Sequence, residues 1–244
     1  MKHKIRNENS HYYIYGKHPS LMAMKNPNRK IIEIMCTEDF FHPNKEDVLK
    51  HKYKILQPKD LNDLTPKETN HQGVIIKTSP IALSIDDADF SSQNCKIAIL
   101  DQVTDPHNAG AIIRSAAAFG INYVIMTKDN SAEENGIMAK TSCGGLEITP
   151  IIRVTNLRSA IEHLKQNGFW VLGMDGEAKE TMSQKQLSGK VAVILGSEGS
   201  GMRRLTIQSC DSLIKIPMSD SMESLNVSNA AAIIFYEMYK TLSF

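Results

Sequence analysis

The 244-residue chain holds only four cysteines, Cys36, Cys95, Cys143 and Cys210, with no C-x-x-C pair among them. That spacing excludes a zinc cluster and a disulfide framework, so reduced thiols are the expected state and no metal is expected. Long apolar runs are missing too. Nothing approaches the roughly 18 consecutive apolar residues of a membrane helix, and the opening MKHKIRNENSHYY lacks the apolar stretch of a secretory signal. The expectation is a soluble, cytoplasmic protein with no membrane partner. Charge of one sign is also lacking: 28 Lys and Arg against 27 Asp and Glu leave +1. Taken whole, that total argues against a polyanionic partner, which calls for a basic surface.

What remains is ordinary, with 41% hydrophobic and 23% charged residues, close to the averages of soluble globular chains. A disordered or fibrous chain is excluded. At about 150 residues per domain, the length fits two modest domains, and the charge divides between them. Residues 1–80 carry 14 Lys/Arg against 9 Asp/Glu, a balance of +5, while residues 81–244 carry 14 against 18, a balance of −4. Histidines His3, His11, His18, His42, His51 and His71 also fall in the first part. A positive front half suits a domain that holds a phosphate-rich polymer; a solvated charged surface gives the same count.

A composition break at 84–94, SIDDADFSSQN, reads as a linker. Before it, strand-type stretches at 30–36, 53–56 and 73–77 alternate with helical segments at 18–25, 44–51 and 59–64. That alternation predicts a small α/β sandwich over 12–83, preceded by a flexible N-terminus over 1–11. After the break, KIAIL at 96–100 is a continuous apolar run typical of a strand covered on both faces. A helix over 108–119 follows, with Ala109, Ile112, Ile113, Ala116 and Phe119 on one stripe and Gly120 as its stop. Strands are predicted at 123–126, 147–152, 170–172, 191–195 and 213–216, with helices at 157–167 and 226–239. The last helix buries Val227, Ala230, Ala231, Ile234 and Met238; Phe235, Tyr236 and Tyr239 are available for core or for a contact, core being the commoner use. The fold class is α/β, with a mostly parallel sheet and helices on both faces over 95–244.

Ligands of such sheets bind at the carboxyl ends of the strands, and three loops there are unusual. In DQVTDPHNAGAIIR at 101–114, Asp105-Pro106 signals a turn and Asn108 is typed to cap the helix. Arg114 lies off the apolar stripe among small neighbours, Gly110, Ala111, Ala117 and Ala118, so its forked guanidinium is free to reach a phosphate or carboxylate; a solvated helix arginine gives the same pattern. ILGSEGSGM at 194–202 follows an apolar strand, and its glycines permit close backbone approach to a flat ligand. Its G-x-x-G-x-G spacing matches neither the dinucleotide fingerprint nor the phosphate loop, which argues against a nucleotide triphosphate. In IPMSDSMESLNVSNAAA at 216–232, a strand ends in a proline turn and a polar loop enters an alanine-rich helix at Ser224-Leu225-Asn226.

The ordered series of Asn and Arg around a helix start, then L-G-S-E-G-x-G, then I-P-M followed by S-L-N-V-S, resembles the three motifs of the SpoU (TrmH) family of RNA 2′-O-ribose methyltransferases in the SPOUT superfamily. The resemblance spans about 96–240. The front segment, Tyr15-Gly16-Lys17-His18-Pro19-Ser20, is similar to the start of the substrate-binding domain of the ribosomal branch. It implies a C-terminal trefoil knot, S-adenosyl-L-methionine as methyl donor, a guanosine ribose of large-subunit (23S) ribosomal RNA as acceptor, and a homodimer whose site is completed near the knot. Carried over by motif, the donor pocket involves Leu195, Gly196, Gly199, Ile216, Met218 and Leu225, and catalysis rests on Asn108, Arg114, Glu198, Ser224 and Asn226. A guanidinium holds its proton too tightly to serve readily as a base, so Arg114 is expected to clamp the adjacent phosphate and support the developing oxyanion. The chain departs from the family pattern at Asp220, where glycine is usual, and at Asn229, where an apolar residue is usual. The pair Arg203-Arg204 either touches RNA phosphates or is solvated. A transfer-RNA 2′-O-methyltransferase of the same fold and a non-catalytic RNA-binding assembly factor are the alternatives; the separate front domain disfavours the first and the retained motif residues the second.

Overall fold

The computed structural model describes residues 11–66, 69–182, 187–219 and 221–241; the flexible-terminus expectation, but for His11, and the Asp220 departure lie outside them. Among the described residues there are two sheets. The first joins β1 (Tyr12–Tyr15), β2 (Ile31–Cys36), β3 (Tyr53–Ile55) and β4 (Val74–Thr78) in the order β1-β4-β2-β3, with only β2 and β3 parallel. Helices α1 (Lys17–Lys25), α2 (Glu38–Phe41), α3 (Lys45–Val48) and α4 (Pro58–Asn62) complete this N-terminal unit.

The second sheet joins β5 (Lys96–Asp101), β6 (Tyr123–Thr127), β7 (Ile151–Val154), β8 (Trp170–Met174), β9 (Glu180–Thr181), β10 (Val191–Gly196) and β11 (Ser212–Lys215). Its order is β7-β6-β5-β10-β8-β11-β9, and every pairing is parallel. All of β5 is buried, and successive side chains enter opposite cores as a strand's period of two dictates. Ala98 and Leu100 join the core on the side of α5 (Pro106–Ala118), α6 (Gly136–Ser142) and α9 (Val227–Lys240); Ile97 and Ile99 join the one beneath α7 (Leu157–Gln166) and α8 (Arg204–Gln208). The first core continues into the small sheet through Ile14, Ile34 and Ile76. Among the described residues no helix is long and apolar enough to cross a membrane.

Several sequence expectations need revision. Asp105, not Asn108, caps α5: its side chain accepts from the His107 N–H at 2.9 Å and Pro106 takes the first helical position. The expected strand at 147–152 is Ile151–Val154 alone, because Cys143 and Gly144 turn left-handed after α6 and Glu147 ends a short 3-10 turn, Gly145–Glu147, with its carboxylate on Arg29. The stretch 84–94 is not a bare tether, since Phe90 is buried against Tyr123, His163 and Phe169. On α9, Phe235 is core while Tyr236 is 50% exposed.

Lys96 is buried at the start of β5, where its ammonium donates to the carbonyls of Leu187 and, at 3.0 Å, Gly189. Burial pushes its pKa from 10.5 down to about 8. Between these values the unfolded chain binds the extra proton, so stability rises with pH across that window. Denaturant titrations of wild type and Lys96→Met should show a difference in unfolding free energy that moves in favour of wild type from about pH 8 to pH 10; a pH-independent difference contradicts the assignment.

Candidate active site

In the large sheet, β5 leads outward to β6 and β7 on one side, while β10, β8, β11 and β9 fill the other. The β5/β10 boundary is thus a topological switch point, where open parallel sheets bind ligands. Above the adjoining strand ends lies a cleft of about 700 Å³, within the roughly 300–1,000 Å³ usual for small-molecule sites. Leu195, Gly196, Gly199, Ile216, Met218 and Leu225 all line it, as do Glu198, Ser224 and Asn226. Met174, Asp175 and Gly176 line it as well; they end and follow β8, and the strand-end rule applied to that strand would have found them. Asp175, Glu198 and Glu223 border the cleft against Lys215, a balance that suits a cationic ligand.

The glycine loop is shaped by its own backbone. Ser197 and Gly201 exchange two backbone hydrogen bonds of 3.1 and 3.0 Å, closing it into a tight turn. Gly199 and Gly201 have φ of 85° and 64°, a region that favours glycine. A Cβ at Gly196 would collide with the backbone of Gly201 and Met202. The turn is anchored from beneath: the fully buried Asp101 carboxylate at the end of β5 accepts from the Arg203 backbone N–H at 3.0 Å and from its Nε at 2.7 Å. Arg203 is therefore committed to holding the loop, whereas Arg204 is exposed and without a partner among the described residues. For Gly196→Ala, overpacking of about 1–3 kcal/mol is expected to lower affinity for the cleft's ligand at least tenfold, read by calorimetry; unchanged affinity contradicts the role given to this loop.

The three sequence motifs meet at the cleft's mouth. Asn108 Nδ2 donates to Glu198 Oε1 at 3.1 Å, Asn226 Nδ2 donates to the same oxygen and, at 3.1 Å, to Asn108 Oδ1. Asn226 is also the cap of α9, its Oδ1 accepting from the Ser228 N–H at 2.9 Å. Freed from capping by Asp105, Asn108 can spend its side chain on this junction. Two amides thus fix Glu198 Oε1, while Oε2 has no partner among the described residues. Ser224 lines the cleft, its hydroxyl without a partner among the described residues.

Arg114 stands apart. Six residues turn a helix by about 600°, which sets its side chain about 120° around α5 from that of Asn108, and it does not line the cleft. It is exposed and unpartnered among the described residues. Gly145 packs against its backbone: a Cβ there would sit 3.2 Å from Arg114 Cα. Among the described residues no group of His, Cys, Asp and Glu is arranged to hold a metal ion.

The SpoU rRNA Methylase family matches residues 96–236, the stretch that carries the cleft and its three motifs. The chain belongs to this family. Residues 13–83 match a second family, RNA 2′-O ribose methyltransferase substrate binding. Among curated relatives, the 23S rRNA (guanosine-2′-O-)-methyltransferase RlmB of Vibrio vulnificus is 38% identical over 93% of this chain and 96% of its own. The RlmB of Haemophilus influenzae is 39% identical over 93% and 96%. Among solved structures, the SpoU methyltransferase AviRb of Streptomyces viridochromogenes in complex with AdoMet shares the fold, with a TM-score of 0.83 at 20% identity over 94% of this chain and 89% of that one.

Proposed function

We propose that this protein transfers a methyl group from S-adenosyl-L-methionine to the ribose 2′-hydroxyl of a guanosine in 23S ribosomal RNA. The observation that carries the reading is the junction of Asn108, Glu198 and Asn226 at the mouth of a glycine-walled cleft, in a chain whose curated relatives bear that activity in their names. The cleft fits the donor: carboxylates favour a cation, and glycines at 196, 199 and 201 expose backbone groups to a flat ring. When bound, the donor supplies an electrophilic methyl carbon on a sulfonium.

The chain's own residues do the rest. Leu195, Gly196, Gly199, Ile216, Met218 and Leu225 hold the donor. Glu198, immobilised through Oε1, keeps Oε2 to orient the hydroxyl and take its proton as the methyl group is transferred, with Ser224 positioning the ribose. Arg114 clamps the neighbouring phosphate in fork geometry and supports the charge that develops on the oxygen. Residues 12–83 gather the RNA, residues 95–244 carry the transfer, and 84–94 join them. A strand order that inserts β10 between β5 and β8 supports a C-terminal trefoil knot. Work in the cytoplasm as a homodimer completes the reading: Arg114 lies off the cleft of its own chain, and Ile233 and Tyr236 are exposed on α9, as a site completed by a second copy requires. The test is incubation with labelled S-adenosylmethionine and deproteinised large-subunit RNA beside transfer RNA. Label confined to the large-subunit RNA is expected; label in transfer RNA alone, or in neither, overturns the proposal.

A further inference from the structure

The chain between α6 and β7 makes a turn that touches both units of the fold. Cys143 and Gly144, with φ of 51° and 89°, reverse the chain after α6, and Gly145–Glu147 form the short 3-10 turn that follows. On one side this turn meets α1: a Cβ at Gly144 would stand 2.7 Å from Met22 Cγ. On the other side it meets α5. A Cβ at Gly145 would stand 3.0 Å from the Ile113 carbonyl oxygen and 3.2 Å from Arg114 Cα, so the turn lies directly against the backbone that carries the arginine.

Glu147 pins the turn to the N-terminal unit. Its side chain is 3% exposed, and its carboxylate accepts from Arg29 Nε at 3.1 Å and Nη2 at 2.7 Å in fork geometry, and from Asn26 Nδ2 at 2.7 Å. Arg29 is fixed in turn by Glu134 at 2.7 Å. Close-packed contacts of this kind transmit a displacement. The Arg114 guanidinium has no partner among the described residues, so its starting point is set by the seat of α5 against this turn. Asn108, near the other end of the same helix, is held instead by Glu198 and Asn226. The two motif residues of α5 thus have separate supports, and the support beneath Arg114 is anchored in the N-terminal unit.

We propose that Glu147, held by Asn26 and Arg29, is a positioning residue that seats Arg114 for methyl transfer, so that the N-terminal unit helps set the geometry of the reaction. The inference rests on the RNA-methylating reading given above and on the part that reading gives Arg114. A misplacement of about 1 Å in a group that meets the reacting atoms costs on the order of a hundredfold in rate. A smaller shift, passed through one turn of backbone, costs less.

Glu147→Gln keeps the shape of the side chain and one acceptor oxygen but loses the charge that gathers the three donors. Its expected kcat is lower by about tenfold, with donor affinity unchanged, and the loss disappears when Arg114→Ala is already present, as for residues that act through one another. A residue that only stabilises the fold lowers kcat by the same factor in both backgrounds. Asn26→Ala removes a single donor from outside the turn and is expected to act in the same direction by about threefold, which keeps the test open if Glu147→Gln folds poorly. Hydrogen exchange of the full-length protein, read by mass spectrometry, should quicken over 110–118 in both variants while 96–101 keep wild-type rates. That readout needs no turnover, so a wild type that transfers no methyl group fails the functional reading and leaves the link testable. Exchange over 110–118 equal to wild type in both variants, or kcat losses that multiply with that of Arg114→Ala, overturns the proposal.

Discussion

Arg114→Ala is expected to lower kcat by about 10²–10³, the usual cost of removing one preorganised group that supports a developing oxyanion, with donor affinity unchanged. Arg114→Lys is expected to stay close to that level, because a lysine presents a point charge where the guanidinium offers a fork. Near-normal rates for the lysine variant, with an unchanged pH–rate profile, contradict the clamp. The dimer account makes a sharper claim. If Arg114 serves the partner's cleft, mixing Arg114→Ala with the donor-deficient Gly196→Ala lets half of the randomly formed dimers carry one intact site, restoring on the order of a quarter of wild-type activity. If the arginine serves its own cleft, the mixture stays inactive. Rates measured after subunit exchange separate the two.

Arg29→Met is expected to destabilise the fold by about 3–5 kcal/mol, the scale for breaking a buried ion pair from one side. Arg29 is 4% exposed and lies between two carboxylates, meeting Glu134 and Glu147 at 2.7 Å each. It also donates to the Tyr12 hydroxyl and the Ser79 carbonyl at 3.1 Å, while Tyr12 donates to Glu134 at 2.6 Å. Removing the guanidinium leaves both carboxylates buried without a cation. Burial already raises the Glu134 carboxyl above the ordinary 4.5, with Arg29 opposing it. Without Arg29 the carboxyl rises further, so the folded variant holds a proton that the unfolded chain has released. Its stability therefore falls as pH climbs above the ordinary carboxylate value, and the deficit is smaller in mild acid than at neutral pH. Urea unfolding of wild type and variant at about pH 5 and pH 7.5 reads this directly. A deficit below about 1 kcal/mol, the scale of an exposed pair, shows that this cluster does not tie the N-terminal unit to the large sheet.

What the sequence discloses about the site is what local pattern can carry. The glycine loop is legible because Gly196, Gly199 and Gly201 each answer a backbone demand made within a few residues. Asn226 is legible as a helix cap and keeps that role. Asn108 is misread locally, since Asp105 does the capping, but its motif still puts it at the junction. Contacts across long stretches of chain leave no such trace. Arg29 and Glu147 are 118 residues apart and Asp101 and Arg203 are 102 apart, so nothing near either member announces its partner. The same blindness hides the displacement of the 147–152 strand, because Glu147 is apolar in neither type nor setting until Arg29 is brought to it. The near-zero net charge misleads as well. The sum hides the division between the two units, and even within the front half some cations are paired internally, with Lys52 and Lys54 both on Glu33.

Nucleoside mass spectrometry of unmodified large-subunit RNA treated with wild-type protein and S-adenosylmethionine tests the central claim most directly. The predicted result is 2′-O-methylguanosine from that RNA, formed at least about a hundredfold more slowly with Arg114→Ala. Methyl groups on a base, or no methylated nucleoside although the donor binds, contradict the account.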